Sequence, residues 1–255
     1  MKYIDIHCHL NFPDYGSELP DIIKRAQEAE VGVINVGVDV KSSEEVVQLA
    51  HTHKNMWAVV GVHPTDNKEE IDYPKLKELA QDPKVVAIGE CGLDFHHAGP
   101  EDIDRQKEIF IQHIELANEI KKPLMLHVRN GKTDLTAYVQ ALEILKKHAK
   151  VPFNFHFFAG SLDDLKLILE AGGTVSFTGV VTFVKEFEEI VKYVPADRFM
   201  TETDAPFASP EPYRGKRNEP AHVREVVKAV ARIRGEDPEK VARQCVDNAR
   251  KLFGI

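Results

Sequence analysis

The sequence predicts a single-domain (β/α)8 barrel, and two observations lead to that prediction. Short apolar runs rich in β-branched residues alternate with amphipathic stretches of helical period along the 255 residues. The alternation repeats eight times, and strand-helix repeats imply parallel strands with right-handed crossovers. Eight repeats in a chain of this length match the barrel, while an open doubly wound sheet is the alternative. Because no Pro/Gly/Ser-rich linker interrupts the pattern, one domain over residues 1–255 is the simpler interpretation.

Local signals justify these elements in chain order. Apolar, β-branched runs predict strands at Tyr3–His7, Val31–Val36, Trp57–Val62, Val85–Glu90, Pro123–His127, Phe153–His156, Thr174–Phe177 and Arg198–Glu202. Helical periodicity predicts helices at Asp21–Glu30, Ser42–His53, Pro74–Leu79, Asp104–Ile120, Asp134–Lys147, Leu162–Ala171, Phe183–Tyr193, Pro220–Ile233 and Pro238–Phe253. Pro20 precedes the first helix, a capping pattern at Ser42 opens the second, and Gly172-Gly173 ends the sixth.

The composition is typical of a globular protein, and its net negative charge means that an anionic ligand needs a positively charged site to bind. Hydrophobic residues make up 43% and charged residues 29% of the chain, which is ordinary for a domain with a substantial core. The formal charge of −8 gives the surface as a whole no electrostatic reason to bind nucleic acid. An anionic substrate therefore requires a positive site within the fold.

Cysteine usage and the N-terminus indicate the compartment. The chain has three cysteines, an odd and small number that favours free thiols in a reducing environment. The N-terminus lacks the apolar core of a signal peptide, and no run approaches the roughly 18 apolar residues of a membrane span. We therefore expect a cytoplasmic protein with no membrane partner.

Histidines and carboxylates concentrate at the predicted strand ends, where barrel enzymes place their chemistry. Five of the twelve histidines do so, namely His7, His9, His63, His127 and His156. His7 and His9 lie two residues apart at one strand end, so both side chains face the same way. Glu90 ends the fourth strand and Asp204 follows the eighth. The remaining histidines fall on predicted helices and loops, where solvent-exposed or packing roles are expected.

Imidazole and carboxylate ligands at one barrel mouth predict a metal site. Four histidines and two carboxylates exceed the ligand set of one tetrahedral ion, so we expect two divalent ions. One ion is assigned to His7, His9 and Asp204, the second to His127 and His156, with Glu90 as the bridge. A buried ion pair or a helix cap is the alternative for Glu90 and for Asp204. The ligands suit Zn or Mn at least as well as Mg, so the metal stays open.

Catalytic and supporting roles follow from the same assignment. Glu90 would contact both ions, and Asp204 would accept a proton from a water that the metal makes more acidic. Asp5 lies two residues before His7 and shares its face, but it sits deeper in the barrel. We therefore expect Asp5 to orient a histidine rather than to bind metal.

Charge at the mouth favours a phosphodiester substrate. Two divalent ions would outweigh the two carboxylates, which leaves a positive site on a negative protein. Arg129 and Arg214 present planar guanidinium groups suited to phosphate oxygens. Tyr213 offers a stacking face for a base. His63 is a candidate hydrogen-bond donor to phosphate or a proton relay. The alternatives are a solvent-exposed basic loop for Tyr213 and Arg214, and a structural role for His63.

These motifs resemble the TatD-type metal-dependent deoxyribonucleases, within the wider amidohydrolase-like barrel group. The matching stretches span nearly the whole chain: Asp5-Ile6-His7-Cys8-His9, Gly61-Val62-His63-Pro64, Gly89-Glu90-Cys91-Gly92-Leu93-Asp94, His127-Val128-Arg129, Glu202-Thr203-Asp204-Ala205-Pro206 and Arg214-Gly215-Lys216-Arg217-Asn218-Glu219-Pro220. The resemblance implies a (β/α)8 fold, divalent-metal dependence and hydrolysis of DNA, often from the 3′ end. It implies metal ligands at the positions of His7, His9, Glu90, His127, His156 and Asp204.

The chain departs from the family pattern at two places. Phe157-Phe158-Ala159-Gly160 follows His156, where the family has a small or polar residue, then Phe and Ser-Gly. Asn130-Gly131 follows Arg129, where an acidic residue and then a small one are expected. Both departures concern substrate contacts rather than the metal ligands, so specificity is expected to differ.

Three hypotheses for function remain at this point. The first is a deoxyribonuclease that releases nucleotides from single-stranded DNA ends. The second is an amidohydrolase of the same barrel type that cleaves a small amide or ester, which has no need of Arg129 or of the arginines after Tyr213. The third, a metal-dependent binding protein, is disfavoured by the full ligand set. The oligomeric state is open, and a monomer is compatible with the sequence.

Overall fold

Eight parallel strands, in chain order around one sheet, form the centre of the protein. A computed structural model describes residues 1–66, 71–131 and 136–255, apart from the side chains of residues 100 and 101. The strands are β1 Tyr3–Cys8, β2 Val31–Val36, β3 Met56–Val60, β4 Val85–Asp94, β5 Leu124–Arg129, β6 Phe153–Phe155, β7 Thr174–Phe177 and β8 Phe199–Thr201. Every neighbouring pair from β1–β2 to β7–β8 is parallel.

Backbone hydrogen bonds join β1 to the segment after β8. The N–H of Asp204 donates to the carbonyl of His7 at 2.9 Å, and the N–H of His9 donates to the carbonyl of Ala205 at 2.8 Å. A parallel bridge between Cys8 and Ala205 lies between them. The prediction of a (β/α)8 barrel is therefore confirmed, and the open doubly wound sheet is wrong.

Helices alternate with the strands, and two of them follow β8. In the described residues they are α1 Leu19–Glu28, α2 Val40–His51, α3 Tyr73–Ala80, α4 Pro100–Ile120, α5 Ala137–His148, α6 Leu162–Glu170, α7 Phe187–Tyr193, α8 Val223–Arg234 and α9 Pro238–Phe253. Short 3-10 segments cover Pro13–Glu18, Gly179–Thr182, Ala196–Arg198 and Pro220–His222. The predicted start of the fifth helix, at Asp134, lies outside the described residues.

Capping chemistry explains where several helices begin and end. Asp39 caps α2 by accepting the N–H of Ser42, whose hydroxyl accepts the N–H of Asp39 in return. Ser42 is therefore the third residue of this capping box, and not the residue that opens the helix as predicted. Ser161 and Asp164 form the same reciprocal box at α6. At the end of α8, Gly235 takes a left-handed conformation with φ of 66°.

Apolar packing holds the two layers together. All six residues of β2 are buried, as expected for a strand covered on both faces. The helices turn an apolar stripe inward, and α8 buries Val223, Val226, Val227, Val230 and Ile233 at helical spacing. The three cysteines are buried and unpaired. No helix in the described residues has the length and apolarity needed to cross a membrane.

Strand β4 runs further than the sequence predicts and carries Asp94 to the barrel mouth. We expected it to end at Glu90, with the apolar, β-branched run that predicts it. Instead, β4 continues beside β5, and Asp94 lies opposite Arg129 in the register of the two strands. A Cβ atom on Gly92 would lie 2.1 Å from the carbonyl oxygen of His127, so the glycine permits this close approach.

Candidate metal centre

A pocket of about 390 Å³ opens at the carboxyl ends of the strands. Histidine and carboxylate side chains line it, together with three phenylalanines and several smaller polar and apolar residues. The lining includes His9, Phe12, His63, Thr65, Glu90, His127, Arg129, His156, Phe157, Asp204 and Phe207. The strand ends therefore converge as the barrel prediction requires.

A first group of donor atoms forms where β1 meets the end of β8. The Nε2 atoms of His7 and His9 lie 3.2 Å apart. Asp204 Oδ1 lies 3.8 Å from the first of these nitrogens and 3.5 Å from the second. Glu90 Oε2 lies 3.3 Å from His7 Nε2 and 3.8 Å from His9 Nε2. Four donor atoms from three strand ends therefore surround one small space.

A second group surrounds the other oxygen of Glu90. Glu90 Oε1 lies 2.8 Å from His156 Nε2 and 3.0 Å from His127 Nδ1. His63 Nε2 is 3.4 Å from the same oxygen. Glu90 thus faces both groups, one with each carboxylate oxygen, and the side chain of His63 joins the second group.

The spacing of these atoms fits metal coordination. Bonds of about 2.1 Å in a tetrahedral shell separate neighbouring ligand atoms by about 3.4 Å. The separations within the first group, from 3.2 to 3.8 Å, lie close to that value. Imidazole nitrogens and carboxylate oxygens are donors that zinc, manganese and related ions accept. The donor chemistry and its geometry are both compatible with a bound divalent ion.

Mutual electrostatics keep the floor of the pocket charged. Burial alone would raise the pKa of Glu90, but the surrounding imidazoles, His156 foremost, hold that pKa well below its usual value. Burial alone would lower the pKa of His156, but Glu90 and Glu202 raise it well above the ordinary histidine value. Burial and then the neighbouring His127 lower the pKa of His63 to about 3. Ionised carboxylates at this depth need positive partners, which protonated histidines or cations supply.

Two further carboxylates, to which the sequence assigns no role, support the histidines. Glu202 is fully buried, and its Oε2 lies 3.3 Å from His156 Nδ1. Asp94 Oδ2 lies 2.9 Å from His127 Nε2 and 3.0 Å from His97 Nδ1. Contacts of this kind fix the orientation of imidazole ligands. The sequence feature that could have identified them is their place in the motifs at the ends of the fourth and eighth predicted strands.

Asp5 contacts backbone groups, including that of His7, and its expected role in orienting a histidine stays a prediction. Its Oδ1 accepts the backbone N–H of Thr203 at 2.8 Å and that of His7 at 3.3 Å. Its Oδ2 accepts the hydroxyl of Thr203. The closure of the barrel places the backbone just before Asp204 beside Asp5 and leaves Glu202 nearer to the rings.

The predicted substrate contacts divide into two sets. His63 and Arg129 line the pocket, and both also line an adjoining cavity of about 460 Å³ beside His97. Tyr213 and Arg214 are absent from both linings. One face of Tyr213 stacks on His222 at 3.8 Å, and the guanidinium of Arg214 lies 3.8 Å from the ring centre of Phe183.

Both departures from the family pattern have a structural context. Asn130 Oδ1 accepts the N–H of Ala137 at 2.7 Å, so this side chain holds the first turn of α5. Ala159 and Phe157 line the pocket, and Phe158 is buried against Tyr138. The departure after His156 therefore changes the lining of the pocket, while the departure after Arg129 serves the fold.

The fold and the site define a class: (β/α)8 barrels with a centre of histidines and carboxylates at the strand ends. The chain belongs to the family of TatD-related DNases, whose model matches residues 4–254. The resemblance stated from the motifs is thereby confirmed.

Individual relatives match over almost the whole chain. The uncharacterized metal-dependent hydrolase YabD of Bacillus subtilis is 36% identical, and the match covers 98% of each protein. The 3′-5′ ssDNA/RNA exonuclease TatD of Erwinia billingiae is 35% identical, again over 98% of both. The crystal structure of YJJV, a TatD homologue from Escherichia coli, superposes with a TM-score of 0.90 at 25% identity, and the match covers 100% of this chain and 98% of that one.

Proposed function

We propose that this protein is a divalent-metal-dependent phosphodiesterase that removes nucleotides from the 3′ end of single-stranded DNA. The observation that carries the proposal is Glu90, which faces one histidine group with each carboxylate oxygen. Support comes from the 35% identical relative named as a 3′-5′ ssDNA/RNA exonuclease. The activity would belong to residues 1–255 as one barrel domain. The unpaired cysteines support its expected place in the cytoplasm.

Two divalent ions would be held by the two donor groups. The first ion would take His7, His9 and Asp204, the second would take His127 and His156, and Glu90 would contact both. Bound divalent ions would supply a water of lowered pKa and would stabilise charge at the attacked phosphorus. Zn, Mn and Mg all remain candidates.

The chain's own side chains would bind the phosphate and move the proton. Asp204 reaches the pocket with a side chain that is 13% exposed, so it can accept a proton from the attacking water. Arg129 stands on the opposite wall, where its guanidinium can pair with phosphate oxygens. His63 lies at the junction of the two cavities and can donate a hydrogen bond to the same group.

The proposal is tested by hydrolysis of oligonucleotides labelled at the 5′ end, across Mg, Mn and Zn. Single-stranded DNA should shorten stepwise from its 3′ end, faster than duplex DNA. Glu90→Gln should lower the rate by about 10³-fold, because it removes a charge that both donor groups share. Glu143→Gln, at an exposed position on α5, is the matched control and should keep full activity.

Two outcomes would contradict the proposal. One is full activity in Glu90→Gln. The other is hydrolysis of small amides or esters, with no cleavage of any phosphodiester under any metal, which would assign the centre to the amidohydrolase alternative.

A further inference from the structure

One wall of the pocket is built from three phenylalanines. Phe12 follows β1, Phe157 follows β6 and Phe207 follows β8, and all three line the cavity above the donor groups. Strand order places Thr65 and Arg129, together with Val38 and Val128, on the other side of the barrel. The pocket therefore has an aromatic side and a side of mixed polarity, with the metal-binding candidates between them.

Each of the three phenylalanines contacts a residue of the centre, Phe12 through its ring and the other two through their backbone N–H groups. The ring of Phe12 stacks on His9, with centroids 4.6 Å apart and planes 15° from parallel. The N–H of Phe157 donates to Glu202 Oε1 at 2.6 Å. The N–H of Phe207 donates to the carbonyl of Asp204 at 2.8 Å. The backbones that carry the aromatic wall are therefore held to the centre, and the ring of Phe12 packs directly on it.

Phe207 is both rigidly held and exposed. The side-chain amide of the buried Asn218 donates to the carbonyl of Phe207 at 2.7 Å, which secures the backbone from the other side. Phe207 nevertheless leaves 51% of its surface to solvent. It meets Phe12 edge-on, at 6.2 Å and 72°, so its contact with that ring does not cover it. An exposed aromatic ring on an ordered backbone can bind a flat ligand with little loss of conformational entropy.

We propose that this wall is a subsite for the unpaired base of the 3′-terminal nucleotide, which stacks on Phe207 between the flanking rings of Phe12 and Phe157. The inference rests on the proposed function and names the part of the substrate that its pocket holds. Three hydrocarbon rings offer no hydrogen bonds, so the subsite should accept all four bases. A base that is paired within a duplex end cannot enter, which favours single strands.

The test compares two substrates and two variants. One substrate is a single-stranded oligonucleotide, and the other carries an abasic tetrahydrofuran residue at its 3′ end. Phe207→Ala should lower kcat/KM for the normal end by about 10- to 100-fold, as stacking energies imply, and should leave the abasic end nearly unchanged. Tyr193→Ala, at the end of α7 with the same 51% exposure, is the matched control and should affect neither substrate.

Binding provides a readout that does not depend on turnover. The unmodified protein should bind thymidine monophosphate more tightly than deoxyribose 5-phosphate, and Phe207→Ala should remove that difference. Equal losses on normal and abasic ends, or no loss of mononucleotide affinity, would overturn the subsite. Failure of the unmodified protein to cleave any oligonucleotide would count against the proposed function, while the mononucleotide comparison would still decide the subsite.

Discussion

The two donor groups share Glu90 but are positioned by different parts of the structure. The first group depends on backbone contacts between the two ends of the barrel. The N–H of Asp204 bonds to the carbonyl of His7, and Asp5 accepts the N–H of Thr203. Asp204 itself has a φ of 53°, which is uncommon for a residue other than glycine. This group therefore exists only when the barrel has closed.

The second group depends on carboxylate side chains that contact its imidazole rings. Asp94 on β4 contacts His127 on β5, and Glu202 contacts His156. The difference teaches that damage to the first group should appear as lost folding stability, whereas damage to the second should appear as lost metal affinity.

Replacement of Asp5 gives the largest expected effect and tests the first half of this comparison. Asp5→Ala leaves the buried N–H groups of Thr203 and His7 and the Thr203 hydroxyl without their acceptor. Each unsatisfied buried group costs about 1–3 kcal/mol, so the free energy of unfolding should fall by about 4 kcal/mol. Denaturant unfolding measures this loss, and metal affinity at the first group should fall with it.

Asp5→Asn is the matched control, because the amide oxygen can still accept both N–H groups. It should recover most of the stability lost in Asp5→Ala. A destabilisation below about 1 kcal/mol in the alanine variant would show that the closure does not depend on Asp5, and it would remove the basis for separating the two groups.

The sequence predicts the positions of the donor residues better than the contacts that hold them. Strand alternation and barrel closure bring the predicted ligands to one mouth, because both follow from chain order and period. The contacts of Asp5 could not be obtained that way. Its partner is Thr203, 198 residues along the chain, and only the closed backbone shows that the Thr203 N–H lies nearer to Asp5 than any imidazole does.

Acid should weaken the protein through His113 on α4, which accepts the backbone N–H of Val62 and belongs to neither donor group. Burial lowers the pKa of His113 to about 4 from its ordinary 6.5. The unfolded chain therefore binds a proton that the folded chain excludes, so this contribution to stability is complete above pH 6.5. It is lost as the pH falls towards 4, by up to about 3 kcal/mol.

Comparison with His113→Gln isolates this effect from other titrating groups. Glutamine stays neutral, so the stability difference between the unmodified protein and the variant should shrink as the pH falls from 7 to 4. Urea unfolding at several pH values measures it. A difference that does not change with pH would mean that His113 is protonated equally in both states.

The missed carboxylates show a second limit of the sequence. Glu202 and Asp204 both follow β8, and the sequence alone does not show that one reaches the pocket while the other stays behind the histidines. The structure buries Glu202 completely and leaves part of Asp204 at the surface of the pocket. Asp94 was missed for a different reason, because the strand was predicted to end at Glu90 while β4 continues to Asp94.

Replacement of Asp94 has the smallest expected effect and tests the second half of the comparison most directly. In Asp94→Asn, an amide NH2 group in the place of Oδ2 cannot accept the N–H of His127 Nε2, which lies 2.9 Å away in the unmodified protein. Loss of such an outer contact typically weakens metal binding by about 10- to 100-fold. The free energy of unfolding should change by less than about 1 kcal/mol, because the isosteric side chain keeps Oδ1 as an acceptor for the N–H groups of His96 and His97.

Titration with divalent metal, by calorimetry or against a chelating dye, measures the affinity independently of turnover. Asp82→Asn is the matched control, since Asp82 makes a 2.9 Å contact with the exposed ring of His51 far from the pocket. That variant should bind metal normally. If Asp94→Asn instead loses stability as Asp5→Ala does and keeps its metal affinity, the second group is also positioned by the closed backbone, and the distinction between the two groups fails.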